Sequence, residues 1–216
     1  MNNDFDIDEN TELQFENLLP YTNIKYGNSE YWDEWYKNNL QDFEWYLSWD
    51  NIRDEIINYL PKKGTILEIG CGTSELTSEL SKEGYNKIYA IDISRQAIEQ
   101  MKDIYQSNQN ITWNIGDISK TGFPSNSFDI IFEKATLDSI LCVNGVKKAT
   151  QSLSEIIRIL KPNGMLFSIT KEKPPHFLIN DLLKRYDDEQ VSLVQTKKIK
   201  KQTKNEYYIY ILKKVI

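Results

Sequence analysis

A glycine turn and three acids carry the chemistry available to this sequence. Glu68-Ile69-Gly70-Cys71-Gly72 closes an apolar run, residues 66–69, that reads as a buried strand, and helical spacing begins with Leu76 and Leu80. Glycines let backbone approach a ligand, and a helix start offers unpaired N–H groups. Asp92, Asp117 and Glu133 each stand where a strand-like apolar run ends. One such acid is more often a turn residue or a helix cap; three in equivalent places make a polar rim. A dinucleotide fingerprint, G-x-G-x-x-G, would need a third glycine at Glu75, where the carboxylate would instead repel a pyrophosphate. The expected ligand is an adenosine without phosphates that carries a positive charge, and S-adenosylmethionine meets both requirements.

The elements that must hold these residues follow from the pattern. Asp50 can cap a helix over residues 50–60, with Ile52, Ile56 and Leu60 on one face and Pro61 ending it. Strands are expected over 66–69, 87–91, 111–115, 128–132 and 165–170, the last after the turn Pro162-Asn163-Gly164. Between them lie a helix to about Lys82, one capped by Ser94, and one marked by Leu153, Ile156, Ile157 and Leu160. Pro174-Pro175-His176-Phe177 opens a further helix to about Tyr186, and strands over 191–199 and 206–215 close the chain. Strands alternating with helices imply a Rossmann-like, doubly wound sheet, mostly parallel, and the last pair adds an antiparallel hairpin for seven strands in all. Ligands bind such sheets beyond the carboxyl ends of the strands, where the three acids fall.

Length and charge narrow the classes. The 216 residues suit one α/β domain, with residues 1–20 as an acidic flexible tail and 21–216 as the domain. Residues 1–19 hold six acids and no base, residues 191–216 hold seven lysines and one glutamate, and the net charge is −6. That balance argues against a general nucleic-acid binder. Lys197, Lys198, Lys200, Lys201 and Lys204 could meet RNA phosphates, but a lysine-rich hairpin more often discourages strand pairing at a sheet edge. No apolar run approaches the ~20 residues of a membrane span, and no basic-then-apolar signal opens the chain, so a cytoplasmic protein is expected. Cys71 and Cys142 suffice for neither a disulfide framework nor a zinc cluster, and no metal is expected.

Residues 21–49 form an aromatic segment. Tyr31-Trp32-Asp33-Glu34-Trp35-Tyr36 and Phe43-Glu44-Trp45-Tyr46-Leu47-Ser48-Trp49 hold four of the five tryptophans. Such a segment either packs a short helix onto the domain or forms a lid whose rings exclude water from a pocket.

Over residues 50–216, Glu68-x-Gly70-x-Gly72 followed by Asp92 and Asp117 resembles the class I S-adenosylmethionine-dependent methyltransferases. A narrower resemblance spans about 26–178. Tyr31-Trp32-Asp33-x-x-Tyr36, Phe43-Glu44-Trp45, Gly70-Cys71-Gly72-Thr73-Ser74, Phe123-Pro124, Ser127-Phe128-Asp129, Glu133-Lys134-Ala135-Thr136-Leu137-Asp138 and Pro175-His176-Phe177 carry it. They are similar to the methyltransferase-like family that modifies lysines of translation elongation factor 1-alpha, which includes the methyltransferase domain associated with endothelin-converting enzyme. The resemblance implies that Trp32, Tyr36 and Trp45 flank the cofactor and that Gly70 approaches its methionine part. It further implies that Asp92 accepts the ribose hydroxyls, with Ile93 against the adenine. Asp117 would accept the adenine amino group, the Ile118 N–H would donate to the ring, and Lys134 would lie near the methionine carboxylate. Two departures bear on the substrate: residues 141–153 are shorter than the family's usual loop, and Leu178 stands where an arginine is common.

Methyl transfer from a sulfonium is an in-line displacement that leaves S-adenosylhomocysteine, so the protein must align donor and acceptor and exclude water. A lysine acceptor must first lose a proton, which an apolar channel promotes by desolvation and a nearby carboxylate can receive. Glu133 and Asp138, at and just after the end of the fourth strand, are the candidates for that task, and His176 is a possible rim residue. A protein-lysine methyltransferase acting as a monomer on an elongation factor is the leading expectation. A small-molecule or RNA methyltransferase on the same fold, or an inactive cofactor-binding scaffold, are the alternatives. The Asn-Pro-Pro-Tyr type of motif used by amino-group nucleic-acid methyltransferases is missing after the fourth strand.

Overall fold

A computed structural model describes residues 26, 28–39, 44–171, 179–180, 183–184, 190–200 and 205–216. The expected acidic tail, Phe43, the 174–177 segment with His176, Leu178, and lysines 201 and 204 lie outside the described residues.

Apolar runs become strands where both faces can be covered. β1 (Ile66–Ile69) is buried at all four positions. It pairs in parallel with β2 (Ile88–Asp92) on one side and β4 (Phe128–Lys134) on the other, and β3 (Ile111–Ile115) flanks β2. β5 (Leu160–Thr170) continues the parallel set beyond β4; β7 (Glu206–Lys214) and β6 (Val191–Lys200) then pair antiparallel. The order is β3-β2-β1-β4-β5-β7-β6, a seven-stranded sheet that is mostly parallel and ends in an antiparallel pair, as expected. Because side chains alternate across a strand, Ile66 with Ile130, Phe132, Phe167 and Ile209 faces one core, and Leu67 with Ile69, Ile131, Leu166 and Leu212 faces the other. The chain leaves β1 toward β2 and β3 and returns to β4 on its opposite side. This reversal opens a crevice past the ends of β1, β2 and β4.

Among the described residues, four α-helices precede the long one. α1 (Ser29–Asn38) and α2 (Trp49–Ile56) come from the aromatic segment and its continuation. α2 is capped two residues before the expected Asp50: Ser48 is the N-cap, and its backbone N–H donates to the Asn51 side chain at 3.1 Å. α3 (Leu76–Lys82) and α4 (Arg95–Ile104) follow β1 and β2, and the Ser94 hydroxyl caps α4 by accepting from the Ala97 N–H at 3.2 Å. α5 (Thr136–Ile159) is longer than the sequence suggests: it starts directly after β4 and breaks at Gly145, whose φ of 69° is left-handed. The stretch 141–153 is therefore helical on both sides of that break. The Pro162-Asn163-Gly164 turn sits inside β5 as an irregularity, since Phe128 pairs with Leu160 but Ile130 with Met165. Asn163 takes the left-handed φ of 65° there.

Among the described residues, no helix is long and apolar enough to cross a membrane, and no group of three or more His, Cys, Asp or Glu could hold a metal ion.

The loop that carries Asp117 is pinned from α5. Glu155 accepts from the Thr121 N–H (3.0 Å) and hydroxyl (2.6 Å), while Arg158 binds Glu155 at 2.7 Å and the Phe123 carbonyl at 2.6 Å. The Arg158 hydrogen bond, aided by Thr121 and against burial, lowers the Glu155 carboxyl from 4.5 to about 2. A depressed carboxyl stabilises the fold above its unfolded pKa and loses that contribution as pH falls through its folded one. Glu155→Gln is therefore expected to lower Tm by about 4 °C at pH 7. The gap to wild type should narrow from about pH 5 downward, which thermal melts across pH will measure; a gap constant with pH would refute the ionic origin.

Candidate active site

The turn after β1 is closed by backbone. The Gly70 and Cys71 N–H groups both donate to the Ile91 carbonyl, at 2.8 and 3.1 Å. Gly70 and Gly72 have φ of 62° and 49°, where a side chain is strained. Space forbids one as well: a Cβ on Gly70 would overlap the Thr136 hydroxyl at the start of α5, and one on Gly72 would overlap the Tyr36 hydroxyl. Cys71 is buried, which pushes its thiol well above the ordinary range and leaves it a packing residue.

Asp92, at the end of β2, is 7% exposed. Its carboxylate accepts from the Gly72 and Ser94 N–H groups, both at 2.8 Å. Burial raises it to about 6 against the pull of these donors. Asp117 accepts from the Ser119 N–H (2.8 Å) and hydroxyl (2.7 Å) and meets Lys148 at 3.4 Å. Burial raises it too, but Ser119 and Lys148 outweigh that and hold it below the usual range. Glu68 lies inside β1, takes a hydrogen bond from the Thr77 hydroxyl, and is lifted by burial to about 7 although Lys134 and Thr77 oppose.

These elements surround a cleft of about 710 Å³, including its open part. Gly70, Asp92, Ile93, Asp117, Ile118 and Lys134 line it from the sheet side. Trp32, Tyr36 and Trp45 cover it from the aromatic segment, joined by Tyr26. Trp32 stacks on Tyr36 at 6.0 Å and meets Trp45 edge-on at 6.0 Å, and its ring N–H donates to the Tyr26 carbonyl at 2.7 Å. Asp33 fastens α1 to the start of α4 by accepting from the Ser94 hydroxyl (2.6 Å) and the Gln96 N–H (3.1 Å). The aromatic segment thus covers a cleft as well as packing on the domain. Of the cofactor candidates, Glu68 and Gly72 stand behind the wall instead of in it.

The two candidates for proton handling part company. Glu133 is 1% exposed, accepting from the Ser168 hydroxyl and from the Leu137 N–H at 3.2 Å. Asp138 is half-buried and accepts from the Tyr46 hydroxyl (2.9 Å), the Thr170 hydroxyl (2.7 Å) and the Lys171 N–H (3.2 Å). Neither lines the cleft, but Thr136, Ser139 and Ile140 around Asp138 do. Tyr46 has a left-handed φ of 63° and rests against Tyr207, with ring centroids 5.2 Å apart. Asp33, Glu44, Tyr46 and Lys148 hold the site together through contacts that their places in the sequence do not announce. The available signal was a carboxylate set among rings, as in Phe43-Glu44-Trp45, which needs a buried donor.

The wall fits an adenosine with a sulfonium better than a nucleotide. Both lysines that line it, Lys134 and Lys148, already face carboxylates, and the rings can face a positive charge.

A family model described as a methyltransferase domain matches residues 67–168. The chain is 33% identical over 181 residues to EEF1A lysine methyltransferase 4 of Mus musculus, covering 78% of this chain and 71% of that protein. It is 31% identical over 159 residues to eEF1A lysine and N-terminal methyltransferase of Mus musculus, spanning 71% of this chain but 23% of that longer protein. Among solved structures, the N-methyltransferase NodS from Bradyrhizobium japonicum, in complex with S-adenosyl-L-homocysteine, aligns with a TM-score of 0.62 and 16% identity over 95% of this chain and 99% of that one.

Gly70→Ala is expected to weaken S-adenosylhomocysteine binding at least about tenfold, since strain and the Thr136 overlap both displace the turn. Titration calorimetry measures it, and unchanged affinity would show that the turn does not meet the ligand.

Proposed function

This chain belongs to the class I S-adenosylmethionine-dependent methyltransferase family that includes EEF1A lysine methyltransferase 4, and from that premise we propose that its acceptor is a lysine side chain of a protein, translation elongation factor 1-alpha or a relative of it. The observation that carries this reading is the ring-covered cleft with a carboxylate, Asp138, half-buried on the helix turn that bounds it.

In this reading the cofactor supplies an electrophilic methyl group on sulfur. Trp32, Tyr36 and Trp45 hold it under a water-excluding cover. Asp92 takes the ribose hydroxyls, for which its oxygens keep lone pairs beyond the two backbone bonds. Ile93 packs against adenine, Asp117 and the Ile118 N–H read its edge, and Gly70 gives the methionine part room. Lys134 stands at the same end. The rings also desolvate an incoming ammonium and so lower its pKa. Asp138, oriented by Tyr46 and Thr170, receives the proton the amine sheds. Glu133 supports this from behind, since its bond to the Leu137 N–H fixes the first turn of α5. Residues 21–216 act as one catalytic domain, and the protein works as a monomer in the cytoplasm.

Incubation with labelled S-adenosylmethionine and cell extract, with and without nuclease, tests the acceptor class. One labelled protein band insensitive to nuclease is expected; label in RNA or only in low-mass material would overturn the proposal. For the proton acceptor, Asp138→Asn should cut turnover about a hundredfold while leaving cofactor affinity intact. If Asp138→Asn and Glu133→Gln both left turnover unchanged, the assignment of these carboxylates would fail.

A further inference from the structure

Lys134 ends β4 with only 5% of its side chain exposed. A lysine ammonium has three N–H donors and nothing more to offer. All three are engaged: by the Glu44 carboxylate, by the Leu47 carbonyl at 3.1 Å and by the Ser74 hydroxyl at 3.1 Å. Glu44 and Leu47 both belong to the aromatic segment, and Ser74 to the turn after β1. The second oxygen of Glu44 accepts from the Glu75 N–H at 2.5 Å. One carboxylate therefore ties the aromatic segment to the end of β4 and to the glycine turn together. Trp45, the next residue, lines the cleft, and Glu44 does not.

Resting on the cofactor site read above, we infer that the Lys134 ammonium is a staple for the aromatic cover and receives no carboxylate from the cofactor. Glu44 is then a positioning residue that sets Trp45 over the cleft. Donor count is the first reason: a ligand carboxylate could gain the ammonium only by displacing one of these three partners, and it would then lie beside Glu44, a like charge that is 21% exposed. Charge count is the second. Glu44 already faces Lys134, so a cofactor carboxylate would be a second anion on one cation. The distinction has a chemical consequence. If Lys134 reads the cofactor's amino-acid end, its loss harms only ligands that carry that end. If it holds the cover, every adenosine ligand suffers alike.

Calorimetry with S-adenosylhomocysteine and with 5′-methylthioadenosine, which lacks the amino-acid carboxylate, separates the two. Glu44→Gln and Lys134→Gln are each expected to weaken both ligands by the same factor, about tenfold or more. Acrylamide quenching of tryptophan emission should rise in both variants. Loss confined to S-adenosylhomocysteine in Lys134→Gln would overturn the inference. So would a Glu44→Gln protein that binds S-adenosylhomocysteine more tightly through the freed ammonium, or that binds both ligands as wild type does. Where Lys134→Gln fails to fold, Glu44→Gln alone decides. Wild-type protein that bound neither ligand would instead overturn the cofactor reading itself.

Discussion

A carboxylate taken out of water must be given donors, and at Asp92 that requirement organises the whole binding end of the molecule. One donor is the Gly72 N–H from the turn after β1, the other the Ser94 N–H from the start of α4. Satisfying one anion thereby fixes two loops against each other. Ser94 passes the constraint outward, since its hydroxyl donates to Asp33 on α1. The cover is thus positioned from the end of β2 through a short line of hydrogen bonds, and the rings over the cleft inherit their placement from the sheet.

The buried acids at this end act on stability in the opposite sense to those of the frame. Asp92 and Glu68 are raised by burial, to about 6 and about 7 from 3.8 and 4.5. A raised carboxyl favours the fold below its unfolded pKa and loses that contribution as pH rises through its folded one. Glu155 and Asp129, which do not line the cleft, are lowered and behave in reverse. Near neutral pH the frame is supported by its ionised groups while the binding end holds carboxylates that burial disfavours. A ligand hydroxyl donating to Asp92 would relieve part of that tension, which is the usual arrangement where strain and binding share a place.

The parallel strands could be read because β1 to β4 are apolar runs ending at glycine or an acid, and their alternation with helices implies a doubly wound sheet. α5 could not: Gly145, Lys147 and Lys148 interrupt the apolar spacing before Leu153, and its first half is helical because Leu137, Ile140 and Leu141 pack onto the sheet. The turn at Pro162-Asn163-Gly164 looked like a boundary and proved to be an excursion within β5, since pairing with β4 resumes at Met165. At the site, the glycine turn was legible because local backbone demands those residues. Glu44 and Tyr46 were not, because their partners Lys134 and Asp138 stand 90 and 92 residues away. Polar pairing over such separations leaves no periodic trace.

Two carboxylates moor the aromatic segment, Asp33 to the start of α4 and Glu44 to the end of β4. Two weak attachments on one chain behave as a bivalent ligand. When one lets go, the other keeps it at high effective concentration, so re-attachment outpaces full release. Loosening either mooring should therefore speed complete departure as well as weaken binding, so the two carboxylates govern how long a bound molecule stays.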